Sequence, residues 1–187
     1  MSRIDESRPF LPLSIAVLTV SDTRSLEEDK SGATLEKLLT GAGHKLGARA
    51  IVKDDKKAIA AKLRGFIEDP KIDVVITTGG TGFTGRDVTP EAVEPLFEKK
   101  MDAFSALFLM VSYKKIGTSA IQSRATAGLA GATYIFCLPG SPGACKDAWD
   151  EILVHQLDYR YGPCNFVEIM PRLDEHLRRP KSKGATV

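Results

Sequence analysis

No two of the three cysteines, Cys137, Cys145 and Cys164, stand in a CxxC pair. Their spacing offers neither a zinc site nor a disulfide framework, so they read as reduced thiols of a cytosolic protein. Cys137 lies in an apolar run and is expected in the core. Long apolar segments are also missing: no run approaches the ~18 residues of a membrane span. The stretch Phe10–Val20 is not a signal peptide, because Asp5 and Glu6 precede it, Pro12 interrupts it and no small-residue cleavage site follows. Charge of one sign is scarce. With 26 Lys and Arg against 24 Asp and Glu, the net charge is +2, and no basic face argues for a nucleic-acid partner. Basic residues cluster only at Arg178, Arg179, Lys181 and Lys183, which read as a solvated tail. His44, His155 and His176 are scattered, and no Ser-His-Asp or Cys-His pattern can be ordered. Internal repeats and low-complexity linkers are absent.

What remains is a chain of 187 residues, 43% apolar and 27% charged, which suits one domain with one sizeable core. Residues 1–12 read as an arm, 13–167 as the domain and 168–187 as the tail. "LSIAVLTV" and "IDVVITT" are continuous β-branched runs, as expected of strands buried on both faces. "TYIFCLP" is a third such strand, and "HKLGARAIVKD" a weaker one. Between them lie helical patterns. Leu35, Leu38, Leu39 and Ala42 form one stripe, ending near Gly41 or Gly43. Ile59, Leu63, Phe66 and Ile67 form another, with Asp54 or Asp55 as N-cap. Thr89 as cap and Pro90 at the first helical position open two short pieces limited by Pro95. Ser141 caps a helix with Pro142 at its first position and an inner face of Cys145, Ala148, Trp149, Ile152, Leu153 and Leu157. Phe104, Leu107, Phe108 and Val111 make a further stripe facing the core. That leaves Leu109 and Met110 for contact with another subunit, since "FSALFLMVSY" holds more large apolar residues than one face buries.

Strands alternating with helices imply a three-layer α/β fold: a mostly parallel sheet with helices on both faces. Three polar, glycine-containing loops, residues 21–32, 77–89 and 139–143, leave the carboxyl ends of strands. In such sheets ligands bind along that edge.

The middle loop, "TTGGTGFTGRDVTPEA", formally contains GxGxxG. A dinucleotide site would place the third glycine inside the first helical turn and an acidic residue at the end of the next strand. Here the helix begins only at Thr89 or Pro90. A phosphate-binding P-loop needs Lys and Ser or Thr after the last glycine, where Arg86 and Asp87 stand. A loop of free amides remains, with the Thr78, Thr81 and Thr84 hydroxyls able to hold phosphate oxygens. Ionised Asp87 only accepts hydrogen bonds, so it suits a divalent cation such as Mg²⁺; a helix start or an ion pair with Arg86 is the lesser alternative, since Thr89 is already well placed as the cap. Asp54, between a strand and a helix, is by position more often a cap than a catalyst.

"TTGGTGFTGRDVTPEA", "VSDTRSLEEDKSG", "IGTSAIQSRATAG" and "LPGSPGACKDAW" together resemble the molybdopterin adenylyltransferase family, which includes the G domain of gephyrin. "YGPCNF" and "GTSAIQSRATAG" look most like its molybdenum cofactor biosynthesis protein B branch. The likeness covers roughly residues 12–167. It implies a homotrimer or homohexamer, Mg²⁺, and two substrates, ATP and molybdopterin, whose terminal phosphate is adenylylated with release of pyrophosphate. It implies Asp54 and Asp87 as catalytic and metal-holding residues. It implies a nucleotide and pterin site made of Ser21, Asp22, Thr78, Gly79, Gly80, Thr81, Gly82, Ser119, Ser123, Arg124, Pro139, Gly140 and Ser141. Arg124 or Lys53 is then the candidate for the pterin phosphate. A carrier of the same fold, binding molybdopterin without turnover, is the second reading.

Overall fold

The structure is a computed structural model that describes residues 3–175. The basic cluster at 178–183 lies outside the described residues. Six strands form one sheet in the order β2-β1-β3-β6-β5-β4. They are β1 (Ser14–Val20), β2 (Lys45–Val52), β3 (Val74–Thr78), β4 (Lys99–Lys100), β5 (Thr126–Ala130) and β6 (Thr133–Leu138). The β2, β1, β3 and β6 strands are mutually parallel; β5 runs antiparallel to β6, and β4 antiparallel to β5. The last two were not expected from the sequence, and they make the sheet mixed at one edge.

The helices are α1 (Lys30–Gly41), α2 (Lys56–Ile67), α3 (Thr89–Val93), α4 (Asp102–Ile116), α5 (Pro142–Ala148), α6 (Val154–Gln156) and α7 (Phe166–Ile169). A π-helical segment, Trp149–Leu153, joins α5 to α6. Side chains alternate across β1, and both sets are apolar because both faces are covered. Ile15 and Val17 pack with Leu35 and Leu39 of α1, Phe104 and Phe108 of α4, and Trp149 and Leu153. Ala16, Leu18 and Val20 pack with Ile59, Leu63 and Phe66 of α2 and with Val93 of α3. The three-layer fold is thus as the patterning predicts, and Cys137 is buried in the second core. The helical face from Cys145 to Leu157 is buried as expected.

Two local readings change. Thr89 is the first residue of α3 rather than its cap, and its hydroxyl donates to the Gly79 carbonyl at 2.8 Å. Leu107 is half exposed, so the inner face of α4 is carried by Phe104 and Phe108. The arm is docked: Ile4 bridges to Tyr161, and the Phe10 ring packs on His44 at 5.1 Å between centroids. At the other end, Val167 of α7 is buried and Met170 and Leu173 pack on the core, so packing continues past residue 167. Among the described residues no helix is long and apolar enough to cross a membrane.

Candidate functional site

The loops after β1, β2, β3 and β6 converge on one pocket of about 310 Å³. Ser21, Asp22, Asp54, Gly79, Gly80, Asp87 and Gly140 line it, together with Arg24 and Arg86. Larger cavities of about 740 and 560 Å³ flank α4 and touch none of the loops after β1, β2 or β6.

The glycines are there to let chain segments meet. Gly79 and Gly80 have φ of +104° and +65°, where a side chain is strained. A Cβ on Gly79 would stand 2.3 Å from the Val20 carbonyl oxygen; one on Gly80 would stand 2.9 Å from Asp54 Oδ1. Gly82 is not in the left-handed region; there a Cβ would fall 2.8 Å from Asp87 Oδ2. So the carboxylate of Asp87 folds back over its own loop. Its Oδ2 accepts from the Thr84 amide at 2.9 Å and the Thr84 hydroxyl at 2.6 Å. The Thr84 hydroxyl above all, then the Thr84 and Gly82 amides and the charge of Arg124, hold Asp87 below the ordinary carboxylate pKa.

Asp54 has the opposite environment. Asp55 caps α2, accepting from the Ala58 amide at 2.8 Å, and Asp54 is left free of that role. Partial burial first, and then the charges of Asp22 and Asp87, raise Asp54 above the usual carboxylate pKa. Asp22 Oδ1 accepts the Asp54 amide at 3.2 Å, and its Oδ2 pairs with Arg86. Arg86, with Lys53 contributing, holds Asp22 low. Three carboxylates, Asp22, Asp54 and Asp87, and two arginines, Arg24 and Arg86, therefore line the pocket.

The third loop is tied in through its backbone. The Pro139 carbonyl accepts from the Thr78 hydroxyl at 2.8 Å, and the Gly140 carbonyl accepts from Ser31 Oγ at 2.8 Å and Arg24 Nη1 at 3.3 Å. Ser141 Oγ accepts the Ala144 amide as the cap of α5, as expected. Thr81 is buried beneath the glycine loop, and its carbonyl accepts the Arg124 amide at 2.9 Å. Ser119 and Ser123 are not brought to this pocket. Ser119 is exposed on a 3₁₀ turn, and Ser123 lines a separate cavity of about 290 Å³ beside α4.

Sequence reasoning missed Arg24, Ser31 and Arg86 as parts of the site. All three lie on loops already singled out, and two cations on loops expected to bind anions were the available signal. It also missed Asp29, which caps α1 through Gly32, accepts the Thr19 hydroxyl at 2.7 Å and pairs with Arg49, anchoring the first loop.

An Escherichia coli (strain K12) protein named molybdenum cofactor biosynthesis protein B is 47% identical over 160 residues, which cover 86% of this chain and 94% of that one. A crystal structure of a molybdenum cofactor biosynthesis protein B superposes with a TM-score of 0.81 at 39% identity, covering 90% of this chain and 99% of the other. A tungsten cofactor synthesizing protein from Pyrococcus furiosus superposes with a TM-score of 0.68 at 37% identity, over 76% and 91% of the two chains. The profile of the family described as a probable molybdopterin binding domain matches residues 16–159, and with these likenesses along most of its length the chain belongs to that family.

Proposed function

We propose that the chain acts in molybdenum cofactor biosynthesis as a molybdopterin adenylyltransferase, transferring AMP from MgATP to the terminal phosphate of molybdopterin and releasing pyrophosphate. The observation that carries this reading is Asp54. A neighbour takes the helix cap, and Asp54 is turned toward the glycine loop, where it feels the charge of Asp87. A carboxylate kept in such crowding is unfavourable for folding alone, which supports a functional role for Asp54.

The donor set fits Mg²⁺. Asp54 and Asp87 supply hard oxygens from two loops, and Mg²⁺ commonly takes one or two carboxylates and completes its shell with water and substrate phosphates. Among the described residues no group of three or more His, Cys, Asp and Glu is arranged to hold a metal by itself. When bound, the ion offsets phosphate charge. The chain's own residues do the positioning. The Gly79–Gly82 backbone lets the triphosphate approach closely, and Arg24 and Arg86 counter its charge. The pterin phosphate is already a nucleophile, so no strong base is needed, and holding two anions in line is the main task.

The reading includes a homotrimer or homohexamer. Leu109 and Met110 on α4 are 48% and 58% exposed, with Leu107, Tyr113 and Ile116 beside them, more apolar surface than a lone helix face presents to water.

Incubation with molybdopterin and MgATP, followed by pyrophosphate release, tests the proposal. Stoichiometric pyrophosphate and adenylyl-molybdopterin support it. Saturable molybdopterin binding without pyrophosphate leaves the carrier.

A further inference from the structure

Arg124 precedes β5 and reaches under the glycine loop. Each nitrogen of its guanidinium is engaged: Nε donates to the Gly82 carbonyl at 2.8 Å, Nη2 to the Asp87 carbonyl at 2.9 Å, and Nη1 to the carboxylate of Glu91 on α3. Its own amide donates to the Thr81 carbonyl at 2.9 Å, and the guanidinium lies 5.3 Å from the centroid of the Phe83 ring. One side chain thus grips both ends of the exposed segment between Gly82 and Asp87.

The geometry points to Arg124 as a positioning residue that holds the phosphate loop and Asp87 in place, not as a residue that binds a substrate phosphate. The catalytic consequence rests on the adenylyltransferase reading; the clamp itself does not. A trans peptide points its carbonyl and the following amide in opposite directions. With the Gly82 and Asp87 carbonyls held by the guanidinium, the amides of Phe83 and Val88 face away from it. With the Thr81 carbonyl held by the Arg124 amide, the Gly82 amide turns toward the Asp87 carboxylate, where it helps to keep that group ionised. A loop that binds anions through its amides needs those amides oriented before the ligand arrives, and fixing the carbonyls orients them. The planar guanidinium fork spans two carbonyls and a carboxylate at once, which an ammonium cannot do. Glu91 supplies the counter-charge and aims the fork.

This makes Arg124→Lys informative, because it keeps the charge and loses the fork. The measurements are hydrogen exchange of residues 79–88 without ligand, and calorimetric MgATP binding, on wild type, Arg124→Lys, Arg124→Gln and Glu91→Gln. Both Arg124 variants are expected to speed loop exchange and to weaken MgATP binding together, by roughly tenfold or more, the worth of one charge-assisted hydrogen bond. Exchange in β1 and β3 should stay as in wild type. Glu91→Gln, which leaves both carbonyl contacts in place, should show a smaller change of the same kind. Unchanged loop exchange in Arg124→Gln overturns the clamp. So does wild-type MgATP affinity in Arg124→Lys beside a loss in Arg124→Gln, which would mark a role for charge alone. Wild-type protein that binds no MgATP would defeat the adenylyltransferase reading, while the ligand-free exchange comparison would still decide the clamp.

Discussion

Gly140 and Gly79 meet backbone to backbone: a Cβ on Gly140 would stand 3.2 Å from the Cα of Gly79. The loops after β3 and β6 touch without side chains between them, and the glycines around the pocket can be ranked by what each would strike.

Gly79→Ala combines positive φ with a clash against the Val20 carbonyl, so it should destabilise by at least ~1–3 kcal/mol. Gly85 has open space and no positive φ, so Gly85→Ala should stay within about 0.5 kcal/mol of wild type. Gly82→Ala should displace the Asp87 carboxylate and weaken MgATP binding more than it lowers the melting temperature. Thermal melts beside nucleotide titrations check this order, and a Gly85→Ala as damaging as Gly79→Ala would contradict the steric account.

Adjacent aspartates should separate cleanly. Asp55→Ala removes the α2 cap and should cost about 1 kcal/mol, with AMP transfer per folded molecule kept. Asp54→Asn removes a crowded charge, so melting should hold or rise at neutral pH, while transfer falls by roughly 10² or more. Asp87→Asn should also keep the fold, because Asn Oδ1 can still accept from Thr84, and it should lose transfer to a similar degree. Single-turnover AMP transfer beside melting tests all three; retained transfer in Asp87→Asn would return that residue to a structural role.

His44 sets an acid limb of stability. It is buried, and its Nδ1 accepts the Leu13 amide at 3.1 Å, which requires the neutral ring. Burial lowers its pKa below 6.5, with Asp158 opposing. The unfolded chain therefore takes up the proton first as pH falls, and stability is lost from about pH 6.5 downward toward the folded pKa. Denaturant melts at pH 7 and pH 5.5 should show a loss in wild type that His44→Asn reduces, since the amide oxygen accepts without titrating. An equal loss in both proteins would assign the limb to other groups.

The outer face of α4 predicts assembly. Light scattering at micromolar concentration should find a multiple of the monomer mass, and Leu109→Glu with Met110→Glu should shift it toward the monomer. A monomeric wild type would remove the oligomer from the proposal.

The parallel part of the sheet was legible because burial on both faces leaves continuous β-branched runs such as "LSIAVLTV". The meeting of the glycine-containing loops at one edge followed from where loops lie in such a sheet. By contrast, "TAGLA" of β5 has small residues and no strand signature, and β4 is two lysines long, so neither announced itself. In α4 the apolar residues run around the helix, and spacing alone could not place Leu107 outside. Asp54 and Asp55 are equally good caps by position; only folded geometry shows which amide is accepted. Arg124 displayed its charge in the sequence but not the carbonyls that use it.

The reversal of β5 changes where functional residues are to be sought in such a sheet. Along parallel strands, the binding edge receives the residues that follow each strand. A reversed strand delivers to that edge the residues that lead into it, and this is how Arg124, two residues before Thr126, comes to lie beneath a loop that follows β3. A search confined to strand-exit loops would pass over such a residue. In mixed sheets, entry segments of antiparallel strands belong in the same search.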